Sequence, residues 1–113
     1  MRSIATKKCV PCESGMPPLD TARTQAYLKA IHKEWRYVAG SPDSIERVFI
    51  FKDFAEALKF VDAVGRIAEE ERHHPDIDIR YNKVRLSLST HAIKGLSEND
   101  FILAAKIDLL QLC

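Results

Sequence analysis

The sequence predicts an α+β fold: a four-stranded antiparallel sheet with three helices packed on one face, in the order helix, strand, strand, helix, strand, strand, helix. Two periodicities carry that expectation. From Phe54 through Ala57, Leu58, Val61 and Val64 to Ala68, apolar residues recur every three or four positions, as on a helix that buries one side. Ile77, Ile79 and Tyr81, then Val84, Leu86 and Leu88, alternate with polar residues, which is the period of a strand. A third observation sets the class. Only Asn82 and Lys83 separate those two runs, so they pair as a hairpin, and hairpins interleaved with helices make an α+β layer rather than a parallel sheet.

The remaining elements follow in chain order. Residues 1–19 hold Pro11, Gly15, Pro17 and Pro18 among small and polar neighbours and read as an irregular arm; residues 20–113 read as a single domain. Asp20 is placed to cap a first helix whose Ala26, Tyr27, Ala30 and Ile31 share a face. Trp35 to Val38 and Ile45 to Phe51 read as two strands joined by the turn Gly40-Ser41-Pro42-Asp43. Val48 to Phe51 is apolar on both faces, which suits either a central strand or one whose outer face meets another subunit. Asp53 with Glu56 caps the long middle helix, and Pro75 forces its end near Glu71 or Arg72. Tyr81 is expected to pack in the sheet. Ser97 with Asp100 forms a capping pair for the last helix, lined by Phe101, Ala104, Ala105 and Ile107.

Composition narrows the function. A net charge of +1 supplies no broad field for nucleic acid or an anionic membrane, and no run of about 18 apolar residues reads as a span. The three cysteines, Cys9, Cys12 and Cys113, make a poor disulfide framework and suit a reducing compartment, so a cytoplasmic location is expected. No export signal is read at the N-terminus.

Chemistry concentrates in one segment. Three of the four histidines are His73, His74 and His91, two before one predicted strand and one after the next. Imidazole exchanges protons near neutrality, so a cluster of this kind suits general acid–base work. Asp100 admits two readings, a helix cap and a carboxylate that orients an imidazole. Glu69, in the acidic run Glu69-Glu70-Glu71, reads as a solvated face. Cys9 and Cys12 with His73 and His74 would make a tetrahedral metal set, but adjacent histidines tend to diverge, and no metal is expected.

The full pattern Glu69, His73-His74-Pro75, Tyr81, His91 and Asp100, flanked by Phe51-Lys52-Asp53-Phe54, Tyr81-Asn82-Lys83-Val84, Ser89-Thr90-His91 and Gly95-Leu96-Ser97, resembles the pterin-4a-carbinolamine dehydratases. The likeness covers the chain from about residue 9, Cys9-Val10-Pro11-Cys12 included; Ala92 and Lys94 depart from residues often found in that loop. It implies a hydro-lyase that removes water from 4a-hydroxytetrahydrobiopterin, recycling the pterin cofactor of aromatic amino acid hydroxylases, with no cofactor of its own. It implies catalytic roles for His73, His74 and His91, with His73 and His91 sharing the proton transfers and His74 holding the pterin. Ser89, Thr90, Asp100 and Trp35 are then the substrate-binding candidates, Trp35 as an apolar wall. Expected partners are the pterin, further copies of the chain in a homodimer or homotetramer, and a hydroxylase. The alternative, also carried by the resemblance, is a non-catalytic dimerisation or assembly scaffold or a transcriptional coactivator on the same fold.

Overall fold

The computed structural model describes residues 4–10 and 17–110. Its helices are α1 (Thr21–Ala30), α2 (Phe54–Glu71) and α3 (Glu98–Leu109); its strands are β1 (Arg36–Val38), β2 (Ser44–Ile50), β3 (Asp76–Arg80) and β4 (Lys83–Leu88). Short 3-10 turns stand at Ile4–Thr6 and His91–Ile93. The sheet order is β1-β2-β4-β3 with every neighbouring pair antiparallel, so the class and element order match the expectation and β2 is a central strand.

Caps set the helix starts. Asp20 and Asp53 accept the N–H groups of Arg23 and Glu56, at 2.8 and 2.9 Å, which satisfies donors that a helix start leaves unpaired. Ile45, Phe49, Val84, Leu86 and Leu88 point from the sheet onto Phe60 and Val64 of α2 and Phe101, Leu103 and Ile107 of α3, forming one buried core. Register enforces this: Ile45 stands opposite Leu88 and Phe49 opposite Val84. On the other face Glu46 pairs with Arg36 and Arg85, while Val48 and Ile50 remain exposed.

α3 is buried from Asn99 to Ala105 and has little polar face, because it is enclosed on several sides. α2 and α1 pack against it, and so does the 3-10 turn of the arm, whose Ala5 is buried. At Gly95 the next segment comes so close that an added Cβ would stand 2.7 Å from the Pro18 side chain. Glycine is required there by contact, and Leu19 N–H bonds to Leu96 O at 2.9 Å beside it.

Two local expectations are corrected. The β3–β4 bend is at Tyr81 and Asn82 rather than at Asn82 and Lys83, since Lys83 already pairs with Arg80 as the first residue of β4. Tyr81 therefore leaves the strand alternation, takes a left-handed φ of 53° and lies 67% exposed instead of packing in the sheet. Among the described residues no helix is long and apolar enough to cross a membrane.

Candidate active site

Two chain reversals build the site. After α2, Arg72 adopts a left-handed conformation (φ 54°), and the N–H groups of Arg72 and His73 return to the carbonyls of Glu69 and Ala68, at 3.3 and 3.1 Å. Glycine usually takes that position because a side chain is strained in it. The turn brings His73 back over the helix end. The second reversal follows β4: Thr90 and Gly95 pair in both directions, at 2.8 and 3.3 Å, and close a loop containing the His91–Ile93 turn and a left-handed Lys94. Strand alternation persists to its edge, with Leu88 and Thr90 buried and Ser89 and His91 more exposed.

An open cleft of about 550 Å³ lies at these reversals, and His73, His74, Ser89, Thr90 and His91 all line it. His73 is mostly enclosed, its side chain 11% exposed, and its Nε2 is 2.5 Å from Oδ1 of the fully buried Asp100. The other carboxylate oxygen accepts the Thr90 hydroxyl at 3.0 Å and the Ser97 N–H at 2.9 Å, while the Thr90 and Ser97 hydroxyls are 2.8 Å apart. Ser97 and Asp100 form a reciprocal capping box. One carboxylate thus closes the start of α3 and holds an imidazole, so both readings of Asp100 hold together. His74 is exposed and its Nε2 lies 2.7 Å from Glu69 Oε1.

Two expected substrate contacts are placed elsewhere. Asp100 is not among the cleft-lining residues; its oxygens are committed to His73, Thr90 and Ser97. Trp35 does not reach the cleft either. It is buried in the core, edge-on to Phe49, and its indole N–H donates to Asp108 Oδ1 at 2.7 Å. Asp108 also accepts from Arg47 Nη1 at 2.7 Å and from the His32 N–H at 3.1 Å, which fixes the tryptophan at the far end of α3.

The arm is the part of the cleft that periodicity did not reveal. Cys9, Val10 and Asn99 also line it. The Cys9 N–H donates to Glu71 Oε1 at 2.7 Å, and Val10 exchanges two hydrogen bonds with the Asn99 carboxamide, at 3.0 and 2.6 Å. Burial, and then the neighbouring Glu71 carboxylate, push the Cys9 thiol up to about 12, so it stays protonated and donates to Asn99 O at 3.6 Å. For Glu71, burial alone would raise the carboxyl, but the Cys9 N–H and the Lys106 ammonium outweigh it and hold it below its ordinary value. The signal that could have pointed here is negative charge in the last turn of α2, an unfavourable place for it that the reading of a solvated face passed over. Glu69 and Glu71 are there because each holds a partner. Cys12 and Cys113 lie outside the described residues, and among the described residues no three His, Cys, Asp or Glu side chains are placed to hold a metal ion.

Residues 17–110 match the family described as pterin 4 alpha carbinolamine dehydratase. A protein named as a pterin-4-alpha-carbinolamine dehydratase in Alkaliphilus metalliredigens is 44% identical over 98% of both chains, and one in Nitrosospira multiformis is 46% identical over 95% of this chain and 91% of its own. Among solved structures, a transcriptional coactivator/pterin dehydratase from Brucella melitensis superposes with a TM-score of 0.76 at 33% identity, covering 82% of this chain and 97% of that one. A pterin dehydratase-like RuBisCO assembly factor of the alpha-carboxysome gives 0.60 at 29% identity, over 70% and 90%. The chain therefore belongs to the pterin 4 alpha carbinolamine dehydratase family.

Proposed function

We propose that the protein converts 4a-hydroxytetrahydrobiopterin to the quinonoid dihydropterin and water. The observation that carries this reading is the meeting of His73, His74 and His91 at one cleft, with His73 held from behind by the buried Asp100. In the reaction the C4a–O bond breaks as its oxygen takes a proton, N5 gives up its proton, and an N5=C4a double bond forms. No electrons are exchanged with a second reactant. The demand is for one group that gives a proton and one that takes it, which positioned imidazoles meet.

Each residue has a role in that step. With His73 Nε2 committed to Asp100, exchange with the substrate goes through Nδ1. His91, on the opposite reversal, is its counterpart in the transfer. His74, steadied by Glu69, holds the pterin. Ser89 and nearby backbone groups bond the ring edge, while the Thr90 hydroxyl acts through Asp100. The dihydropterin, once a separate reductase has returned it to the tetrahydro form, serves again in an aromatic amino acid hydroxylase; a cytoplasmic setting is supported by the free thiol of Cys9.

The test is stopped-flow decay of the 4a-hydroxypterin in wild type and in His73→Ala, His74→Ala and His91→Ala. Each substitution slows turnover at least about tenfold while circular dichroism stays native, because a positioned acid or base contributes more than that. Wild-type decay no faster than the uncatalysed loss of water would replace this reading with that of a non-catalytic assembly protein, a reading in line with the description of one similar structure as a RuBisCO assembly factor. The protein is also assigned self-association as a dimer or tetramer, supported by the exposed Val48 and Ile50 on the outer sheet face. Light scattering that finds only monomer at micromolar concentration removes that assignment.

A further inference from the structure

We propose that Cys9 and Val10, at the end of a segment tied down from Lys7 onward, form a fixed wall of the pterin cleft, positioned by Asn99, and that this wall holds substrate without taking part in proton transfer. The inference rests on the dehydratase reading, which supplies the occupant.

The segment is tied at three points. Asn99, 4% exposed, spends its carboxamide on both sides of Val10: Nδ2 donates to Val10 O and Oδ1 accepts the Val10 N–H, like one rung of an antiparallel ladder. Glu71 takes the Cys9 N–H, and Lys7 Nζ pairs with Glu98 at 2.7 Å. These anchors stand on the end of α2 and the start of α3, the two helix ends that also deliver His73 and Asp100. Wall and imidazole therefore share one frame.

The cost of the arrangement argues that the position matters. A buried carboxamide is stable only when both its donor and its acceptor are satisfied, and a carboxylate at a helix C-terminus opposes the helix dipole. An irregular arm would cover α3 without either. What the anchors achieve is to set Cys9 and Val10 against the cleft, and Val10 remains 61% exposed there. An apolar side chain beside a flat bicyclic ring, with polar groups elsewhere in the lining, is how sites of this size gain affinity.

The experiment compares wild type with Asn99→Leu, which keeps the volume and removes both bonds, and with Val10→Pro, which lacks the N–H and changes only the arm. KM for the 4a-hydroxypterin and Kd for dihydrobiopterin are measured for each, with hydrogen exchange of residues 4–10 as a check that the arm is released. KM and Kd rise roughly tenfold, kcat stays within about twofold and the pH profile is unchanged. A merely structural role lowers kcat with the folded fraction and leaves KM and Kd where they were, and that result, or release of the arm with no change in Kd, overturns the proposal. If wild type binds dihydrobiopterin without turnover, the dehydratase reading falls, and the Kd values alone decide the wall: weaker in both variants sustains it, equal sinks it. No binding by wild type removes both. Should Asn99→Leu not fold, Val10→Pro decides on the same criteria.

Discussion

His73 Nε2 and Asp100 Oδ1 stand 2.5 Å apart and join the turn after α2 to the first turn of α3. Twenty-seven positions of chain, including the whole β3–β4 hairpin, are closed by this pair. It fixes which ring nitrogen faces the carboxylate and so leaves Nδ1 as the nitrogen not held by Asp100.

Asp100→Asn keeps the shape of the cap but replaces the anionic acceptor beside His73. Turnover falls roughly tenfold to a hundredfold with a smaller change in KM, because His73 loses its enforced tautomer. Asp100→Ala in addition removes the capping box and the Thr90 hydroxyl's bond to the carboxylate, leaving it only the Ser97 hydroxyl, and lowers stability by about 1–3 kcal/mol. Steady-state kinetics and urea unfolding on both variants check this; an Asp100→Asn enzyme with wild-type turnover would remove Asp100 from the mechanism.

Trp35 serves the core and not the cleft. Trp35→Phe loses one of the three donors to Asp108 and some packing against Phe49, for a cost of about 1–3 kcal/mol. KM and kcat of the folded variant stay within about twofold, since the site lies elsewhere. A KM raised severalfold in a variant of native fold would return Trp35 to the binding site.

Acid weakens the contacts that tie down the arm. Glu98, through its bond from Lys7 first and then Tyr27, and Glu71, through the Cys9 N–H and Lys106 against the pull of burial, are both held below the ordinary 4.5. Carboxyls depressed in the folded state add stability that is complete above the unfolded value and is lost as pH falls through the folded one. The loss therefore begins below 4.5. Urea midpoints followed from about pH 6 to about pH 3 fall less steeply for Glu71→Gln/Glu98→Gln than for wild type. Parallel curves would show that other carboxyls set the acid limit.

Much of this was legible in the residues themselves. The period from Phe54 to Ala68 marked α2, the alternation of Ile77 to Leu88 marked the hairpin, and Asp20, Asp53 and the Ser97–Asp100 pair marked the helix starts. These are local signals, written within a few positions. The same locality explains the errors. Tyr81 fits the alternation of β3, but hairpin closure places the turn on it and forces a left-handed backbone. Trp35 is large and apolar in any context, and only its tertiary partner Asp108, 73 positions on, shows where it sits. The histidines could be listed as candidates from residue type and spacing, whereas their meeting depends on Arg72 adopting a conformation that its side chain does not announce. Asn99 was passed over beside Asp100 because its partner, Val10, belongs to an arm with no periodicity.

The doubled duty of Asp100 has a consequence for how this family can diverge. A residue that both starts a helix and anchors an imidazole cannot be altered for the ring's sake without fraying the helix start, so adjustment of the ring falls to neighbours such as Thr90 that reach the carboxylate from one side. Loss of the reaction would therefore release the ring positions without releasing position 100, whose carboxylate still closes the helix start, and an aspartate there is by itself no sign of activity.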